Sequence, residues 1–171
     1  MKPHLQRVVS FALLLLPFAV LAQTGARPDP LFQSRLLNSL HEGNLMEIAA
    51  GRMAITRGST PAIRQFGEEL VKDHSTADGE LVTLAAKLNV VLPSAAAPED
   101  GLDELGRLTG RAFDRAFVKM MVDDHDKALA MVRDAQPRVK NGQLSVYLEK
   151  LLPVLEKHRS TAVALNQGFQ S

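Results

Sequence analysis

Residues 117–132 read FVKMMVDDHDKALAMV. Phe117, Met121, Ala128 and Val132 recur at helical spacing, and His125 stands in the middle of that apolar stripe. At about 100° per residue, Val118, Met121, Ala128, Leu129 and Val132 fall on the same side as the imidazole. The stretch therefore predicts a helix that carries a histidine on its inward face.

The pattern recurs along the chain. Residues 66–74, FGEELVKDH, match 117–125, FVKMMVDDH, and VLEKH at 154–158 is a looser copy. Around His74 lie Ile63, Leu70, Ala77 and Leu81; around His158 lie Tyr147, Leu151, Val154, Thr161 and Leu165. Around His41 lie Leu37, Leu45, Ile48 and Ile55, with Asn44 and Arg52 as polar intruders. His41, His74, His125 and His158 each fall in a different predicted helix, and each points inward.

The helices are bounded by recognisable signals. The first spans about Leu31 to Arg57 and ends at Gly58-Ser59. Thr60 is an N-cap followed by Pro61 at the first helical position, which opens a second helix to about Asn89. VVLPSAAAPEDG, residues 90–101, reads as a loop. A third helix runs from about Leu102 to Val139, with a break near Gly106 or Gly110. Asn141-Gly142 is a turn, and a fourth helix follows from about Gln143 to Gln167. Pro153, inside it, bends it or frees the carbonyl four residues back. Two tight turns and one longer middle connection are the connectivity of an antiparallel four-helix bundle, an all-α domain over residues 31–168. No segment alternates with period two, so neither a β-sandwich nor a membrane barrel is supported.

The spacing of the histidines adds geometry. His41 to His74 is 33 residues, and so is His125 to His158. The midpoints, 57.5 and 141.5, fall at the two tight turns, so each pair is expected to lie level, about 24 Å from its turn at 1.5 Å per residue. The result is a pseudo-two-fold bundle made of two hairpins. A layer of inward histidines has two readings. It is a metal or cofactor site, or it is a hydrogen-bonded polar layer in the core, since buried polar groups need partners.

The N-terminus carries a different signal. Lys2, His4 and Arg7 precede the apolar run VVSFALLLLPFAVLA, and Val20 and Ala22 occupy the small-residue positions of a cleavage site. The run is 15 residues long and contains Pro17, short of the roughly 20 residues that span a bilayer. Residues 1–22 are therefore expected to be a signal peptide cut after Ala22, with QTGARPDP at 23–30 as a linker, and the protein is expected to be exported to the periplasm or to lie peripheral to a membrane. Removing Lys2 and Arg7 leaves 18 basic against 19 acidic side chains. Such a balance offers no basic face for nucleic acid, and no transmembrane segment remains in the mature chain. The absence of cysteine excludes disulfides, thiolate metal sites and covalent haem attachment.

NLMEIAAGRMA (44–54), PAIRQFGEELVKDH (61–74), FDRAFVKMMVDDH (113–125) and LLPVLEKH (151–158) together resemble the ferritin-like family catalogued as domain of unknown function 4142, sometimes labelled an outer membrane protein. The resemblance covers about residues 30–167. It implies an exported ferritin-like bundle and supplies no catalytic residues. Di-iron carboxylate bundles place a Glu three residues before each metal histidine of two helices. Here those positions hold Val71, Val122 and Leu155, while Asp73, Asp124 and Glu156 sit one or two residues before their histidines and point sideways or out. A di-iron site is disfavoured.

What remains is an imidazole-rich set that suits Zn, Cu or Fe: His41, His74, His125 and His158, with Asp78 four residues after His74 and Glu47 at the edge of the first stripe. Met121, Met46 or Met53 would soften a copper site, although methionine at helical spacing is commonly core filling. Non-covalent haem on two histidines is another reading. Asp114 lies three turns from His125, too far along the axis to join the layer. No Ser-His-Asp spacing, phosphate loop or nucleotide fingerprint is present. The competing expectation is a structural or stress-related interaction module with a hydrogen-bonded histidine layer.

Overall fold

The computed structural model describes residues 29–93 and 102–169. The expected signal peptide and residues 23–28 of the linker lie outside the described residues. The helices are α1 (Pro30–Arg57), α2 (Pro61–Lys87), a short α3 (Leu102–Arg107), α4 (Gly110–Ala135) and α5 (Gly142–Gln167). No helix among the described residues is long and apolar enough to cross a membrane.

Three of the four long helices, α1, α2 and α5, start from a satisfied side-chain cap. Asp29 Oδ1 accepts from the Leu31 N–H at 3.0 Å, with Pro30 as the first helical residue. Thr60 Oγ1 accepts from Ile63 N at 3.3 Å, with Pro61 next. Asn141 Oδ1 accepts from Gln143 N and Leu144 N at 2.9 and 3.0 Å. A side-chain cap of this kind stabilises a helix by about 1 kcal/mol.

The third expected helix is split and shorter than its sequence pattern. The chain leaves α3, passes Thr109 in extended conformation and enters α4 at Gly110 with φ +58°, which an L side chain resists. At the far end α4 stops at Ala135; Gln136 keeps helical φ and ψ and its N–H still bonds the Val132 carbonyl, but Pro137 has no N–H to carry the ladder on. Val139 nevertheless remains buried, its N–H bonded to the Ala135 carbonyl at 3.0 Å. Pro153 sits within α5 with its ring exposed. The carbonyl it deprives of a donor therefore lies on the side where water reaches it.

α1 packs on α2 and α4 on α5; α2 then packs on α5 and α1 on α4. All four neighbouring pairs are antiparallel. Across α2 and α5, Glu80 meets Lys150 at 3.7 Å while Asp73 meets His158 at 3.1 Å. Across α1 and α4, Glu47 approaches His125 and Ser59 donates to Asp114. α4 therefore begins at the end of the bundle where α1 stops, whereas α2 finishes at the other end. The end of α2 and the start of α4 therefore lie at opposite ends of the bundle, about 40 Å apart for a 27-residue helix, and the connection between them makes that return. α3 lies on this return, with Leu105 buried and the Arg57 guanidinium donating to the Gly106 carbonyl. Two hairpins joined by one long crossover are the topology of the ferritin-like bundles.

The apolar core is in two parts. One gathers Leu37, Leu40, Leu81, Val132, Leu144, Leu148 and their neighbours toward the start of α1. The other gathers Ala54, Ile63, Phe66, Phe113, Phe117 and Met121 toward its end. In the second, Phe113 and Phe117 stack at 5.9 Å and Phe66 meets Phe117 edge-on at 5.9 Å. Each such fully buried side chain stabilises the fold by about 1.5–3 kcal/mol. Along every long helix, the residues separating the two parts are polar: His41, Asn44 and Glu47 on α1, His74 on α2, His125 on α4 and His158 on α5, all buried.

Candidate metal centre

His74, His125 and His158 converge from three helices. Their ring centroids stand 5.7 Å (74–125), 5.2 Å (74–158) and 5.3 Å (125–158) apart. Each offers a ring nitrogen within 4.8 Å of the other two.

In each ring the second nitrogen is held from outside. His74 Nδ1 donates to Asn44 Oδ1 at 2.9 Å, which brings α1 into the site. His125 Nδ1 donates to the Met121 carbonyl one turn back at 2.9 Å, with Glu47 Oε1 at 3.4 Å. His158 Nε2 donates to Asp73 Oδ2 at 3.1 Å. These bonds set the tautomers. A neutral imidazole that donates through one nitrogen keeps its lone pair on the other. The inward nitrogens, His74 Nε2, His125 Nε2 and His158 Nδ1, are therefore all acceptors, and all three are buried with no partner. They cannot satisfy one another, because each would need a proton the other lacks.

The electrostatics keep those lone pairs free. Burial, reinforced by the neighbouring rings of His158 and His125, holds His74 well below the ordinary imidazole range. Burial and the proximity of His158 lower His125 to about 4. Burial lowers His158 as well, against the pull of Asp73. Glu47 moves the other way, up to about 8, through burial and then the charge of Asp124. At neutral pH the centre is thus three neutral imidazoles beside one neutral carboxyl.

His41 is not in this group. It donates through Nδ1 to Asp78 at 2.7 Å, deeper toward the start of α1. The expected level pairing of His41 with His74 is displaced by about one turn. The connection between α1 and α2 is centred on Ser59, so Asn44 stands opposite His74 and Asp78 opposite His41. Three residues at 1.5 Å each make an offset of about 4.5 Å. In the other hairpin, His125 and His158 lie level and in ring contact. Of the residues singled out by sequence, three histidines come together, Glu47 touches one of them, and His41 and Asp78 form a separate, partly buried pair.

Two supporting groups stand out only in three dimensions. Asn44 reads in sequence as an intruder on the His41 stripe, yet it orients His74; the signal lies in its 30-residue separation from His74, centred on Ser59. Asp73 projects sideways from α2, as expected, but sideways is where His158 of α5 lies. Glu69, Asp73 and His158 form a second cluster of ligand-type atoms. There the Lys157 ammonium pairs with Glu69 and lies 3.8 Å from Asp73, so a cation already answers the carboxylates. Asp114 is buried away from the layer and accepts from the backbone N–H of Ser59 at 3.0 Å and from its hydroxyl, tying the α1–α2 turn to α4.

The donor set fits a transition metal. An ion held at about 2 Å from each nitrogen needs donors a few ångströms apart, neutral and aimed at one point, with their second nitrogens held. Here the three inward nitrogens lie within 4.8 Å of one another, are neutral, and have their second nitrogens held. A carboxylate-rich iron pair is not what this set resembles, since no carboxylate belongs to the three-histidine group.

Comparison with known proteins agrees with the fold. The family model described as "Domain of unknown function (DUF4142)" matches residues 20–165. No curated protein matches the chain. Among solved structures, "CopM in the Cu(I)-bound form" is similar with a TM-score of 0.70 at 15% identity, covering 81% of this chain and 97% of that one. "CopM in the Cu(II)-bound form" gives 0.70 at 14%, covering 80% and 96%. "CopM in the Ag-bound form" gives 0.65 at 17%, covering 80% and 94%. These likenesses are of fold: a helical bundle.

Proposed function

The chain belongs to the family of domain of unknown function 4142, and from that premise we propose that it is an exported helical bundle that binds one copper ion through His74, His125 and His158. The observation that carries the reading is the convergence of three buried imidazole nitrogens, each without a partner and each oriented through its other nitrogen. A polar layer kept for stability would satisfy its own members. This one leaves three acceptors facing each other.

The choice of copper draws on three supports. Imidazole suits Cu among other transition metals, and thioethers, which this chain carries close by, favour Cu(I). A neutral, water-poor site takes a monovalent ion at less desolvation cost than a divalent one. The similar bundles were solved with Cu(I), Cu(II) and silver. When bound, the ion would supply a stable buried copper centre. The chain's own residues do the rest: Asn44, the Met121 carbonyl and Asp73 hold the rings, and the two apolar clusters keep water away. Export rests on the charged and apolar N-terminal segment.

The test is a titration of metal-free protein with Cu(I) under reducing conditions, alongside Zn(II) and Fe(II). One Cu(I) per chain is expected, lost in His74→Leu, His125→Leu and His158→Leu and retained in His41→Leu. Binding by all three variants at the wild-type level, or no copper bound by the wild type, would overturn the reading.

A further inference from the structure

We propose that the small cavity between α1 and α4 is the port by which the ion reaches the histidines, with the thioethers of Met46 and Met131 as its transient ligands. This rests on the copper reading above. The ligand rings are at most 3% exposed, so an ion needs a route to them. The cavity, about 60 Å³, is lined by Met46, Asn44 and Glu47 of α1 and by Asp124 and Met131 of α4, and it reaches His74.

Its walls have the chemistry of a path for a soft cation. The Asp124 carboxylate, 22% exposed and paired at 2.9 Å with the exposed Lys127 ammonium, sets an ion pair within reach of solvent at the cavity. Met46 and Met131 are half-buried, with sulfurs that cannot be blocked by protonation. Glu47 Oε2 is buried there without a partner. The thioethers are also one-sided: Met46, Met53, Met120, Met121 and Met131 all lie on α1 or α4, and α2 and α5 carry none. The groove between α2 and α5, by contrast, carries Lys72 and Lys150 beside Asp73 and Glu80, with neither a thioether nor a histidine in its walls. Gly43 also lines the α1–α4 cavity, and a Cβ there meets nothing within 4 Å, so a larger side chain can be placed at this wall without a clash at its Cβ.

The experiment follows the rate at which metal-free protein draws Cu(I) from a chromogenic chelator, together with the copper bound at the end. In Met46→Leu/Met131→Leu the rate is expected to fall at least fivefold, with final stoichiometry and affinity unchanged. Gly43→Leu, which fills the cavity and leaves both sulfurs in place, is expected to slow uptake as well. It serves alone if the double variant fails to fold. A wild-type rate in either variant overturns the port while the histidine site stands. A fall in affinity matching the fall in rate also overturns it, since the sulfurs would then be permanent ligands. If the wild type draws no Cu(I), the copper reading itself fails and the port with it.

Discussion

His125 is 1% exposed, and the imidazole and carboxyl groups around it titrate in opposite directions. In the metal-free protein the three site histidines lie below their ordinary value of 6.5, with His125 at about 4. Between about 4 and 6.5 the unfolded chain therefore binds protons that the folded chain refuses, and stability falls as pH falls. Glu47 lies at about 8 folded against 4.5 unfolded, so the folded chain holds an extra proton in that window and stability falls as pH rises through it. Below 6.5 three imidazoles outweigh one carboxyl; above it the carboxyl acts without them. The melting temperature of metal-free protein is expected to peak near pH 6.5, with each proton of difference worth about 1.4 kcal/mol per pH unit. Glu47→Gln should remove the decline toward pH 8, and a wild-type melting curve flat from 6.5 to 8 would refute the account. The orienting groups make a second prediction at this scale. Asn44→Leu and Asp73→Leu leave the three ligands in place but release a ring, and each should weaken Cu(I) affinity by about 10–100-fold in a competition titration.

At the scale of elements, the register of α1 on α2 decides which side chain faces His74. Two glycines set how closely these helices approach. A Cβ on Gly67 would stand 2.6 Å from the Gly51 carbonyl oxygen, and one on Gly51 would stand 2.8 Å from the Gly67 oxygen. Neither obstacle is a flexible side chain; both are backbone. Gly67→Ala is expected to force the helices apart and destabilise the protein by about 1–3 kcal/mol, a fall in melting temperature of several degrees. A variant melting at the wild-type temperature would show that the contact is dispensable. Gly110→Ala tests a different constraint. Its Cβ would meet nothing, so its cost, about 1–2 kcal/mol, is that of the left-handed backbone at the start of α4. Full retention of stability there would mean that α4 can start elsewhere.

For the whole molecule, the histidine layer divides the core and joins the hairpins. An ion bound there links α2, α4 and α5, and through Asn44 it engages α1 as well. Binding that favours the folded chain at 100 times its dissociation constant stabilises it by about 2.7 kcal/mol. Cu(I) should therefore raise the melting temperature by roughly 5–10 °C, at about 2–4 °C per kcal/mol for a chain of this size. His158→Leu is expected to lose that rise and His41→Leu to keep it. The helix pairing repeats between the hairpins, α1 on α2 as α4 on α5, but the ligands do not repeat with it. α4 and α5 each supply one, whereas in the first hairpin α2 supplies the ligand and α1 supplies the residue that orients it.

The four long helices, the Thr60 cap, the break before α4 and the inward side of every histidine were legible in the sequence. Each depends on local chemistry: a side-chain oxygen three residues from an amide, a proline's fixed φ, a period of 3.6. The antiparallel bundle also followed, because two tight turns leave few other arrangements. The makeup of the site did not follow. Whether His41 or Asn44 faces His74 depends on where the α1–α2 turn is centred, and a shift of a residue and a half there moves the facing residue by a full turn. That Asp73 reaches His158 depends on α5 lying beside α2, a neighbour chosen by the crossover and the packing of two apolar clusters. The sequence thus determined that four histidines point into the core. Tertiary structure decided that three of them share a centre, because ligand geometry is set to within an ångström by contacts between helices that no spacing along one helix records.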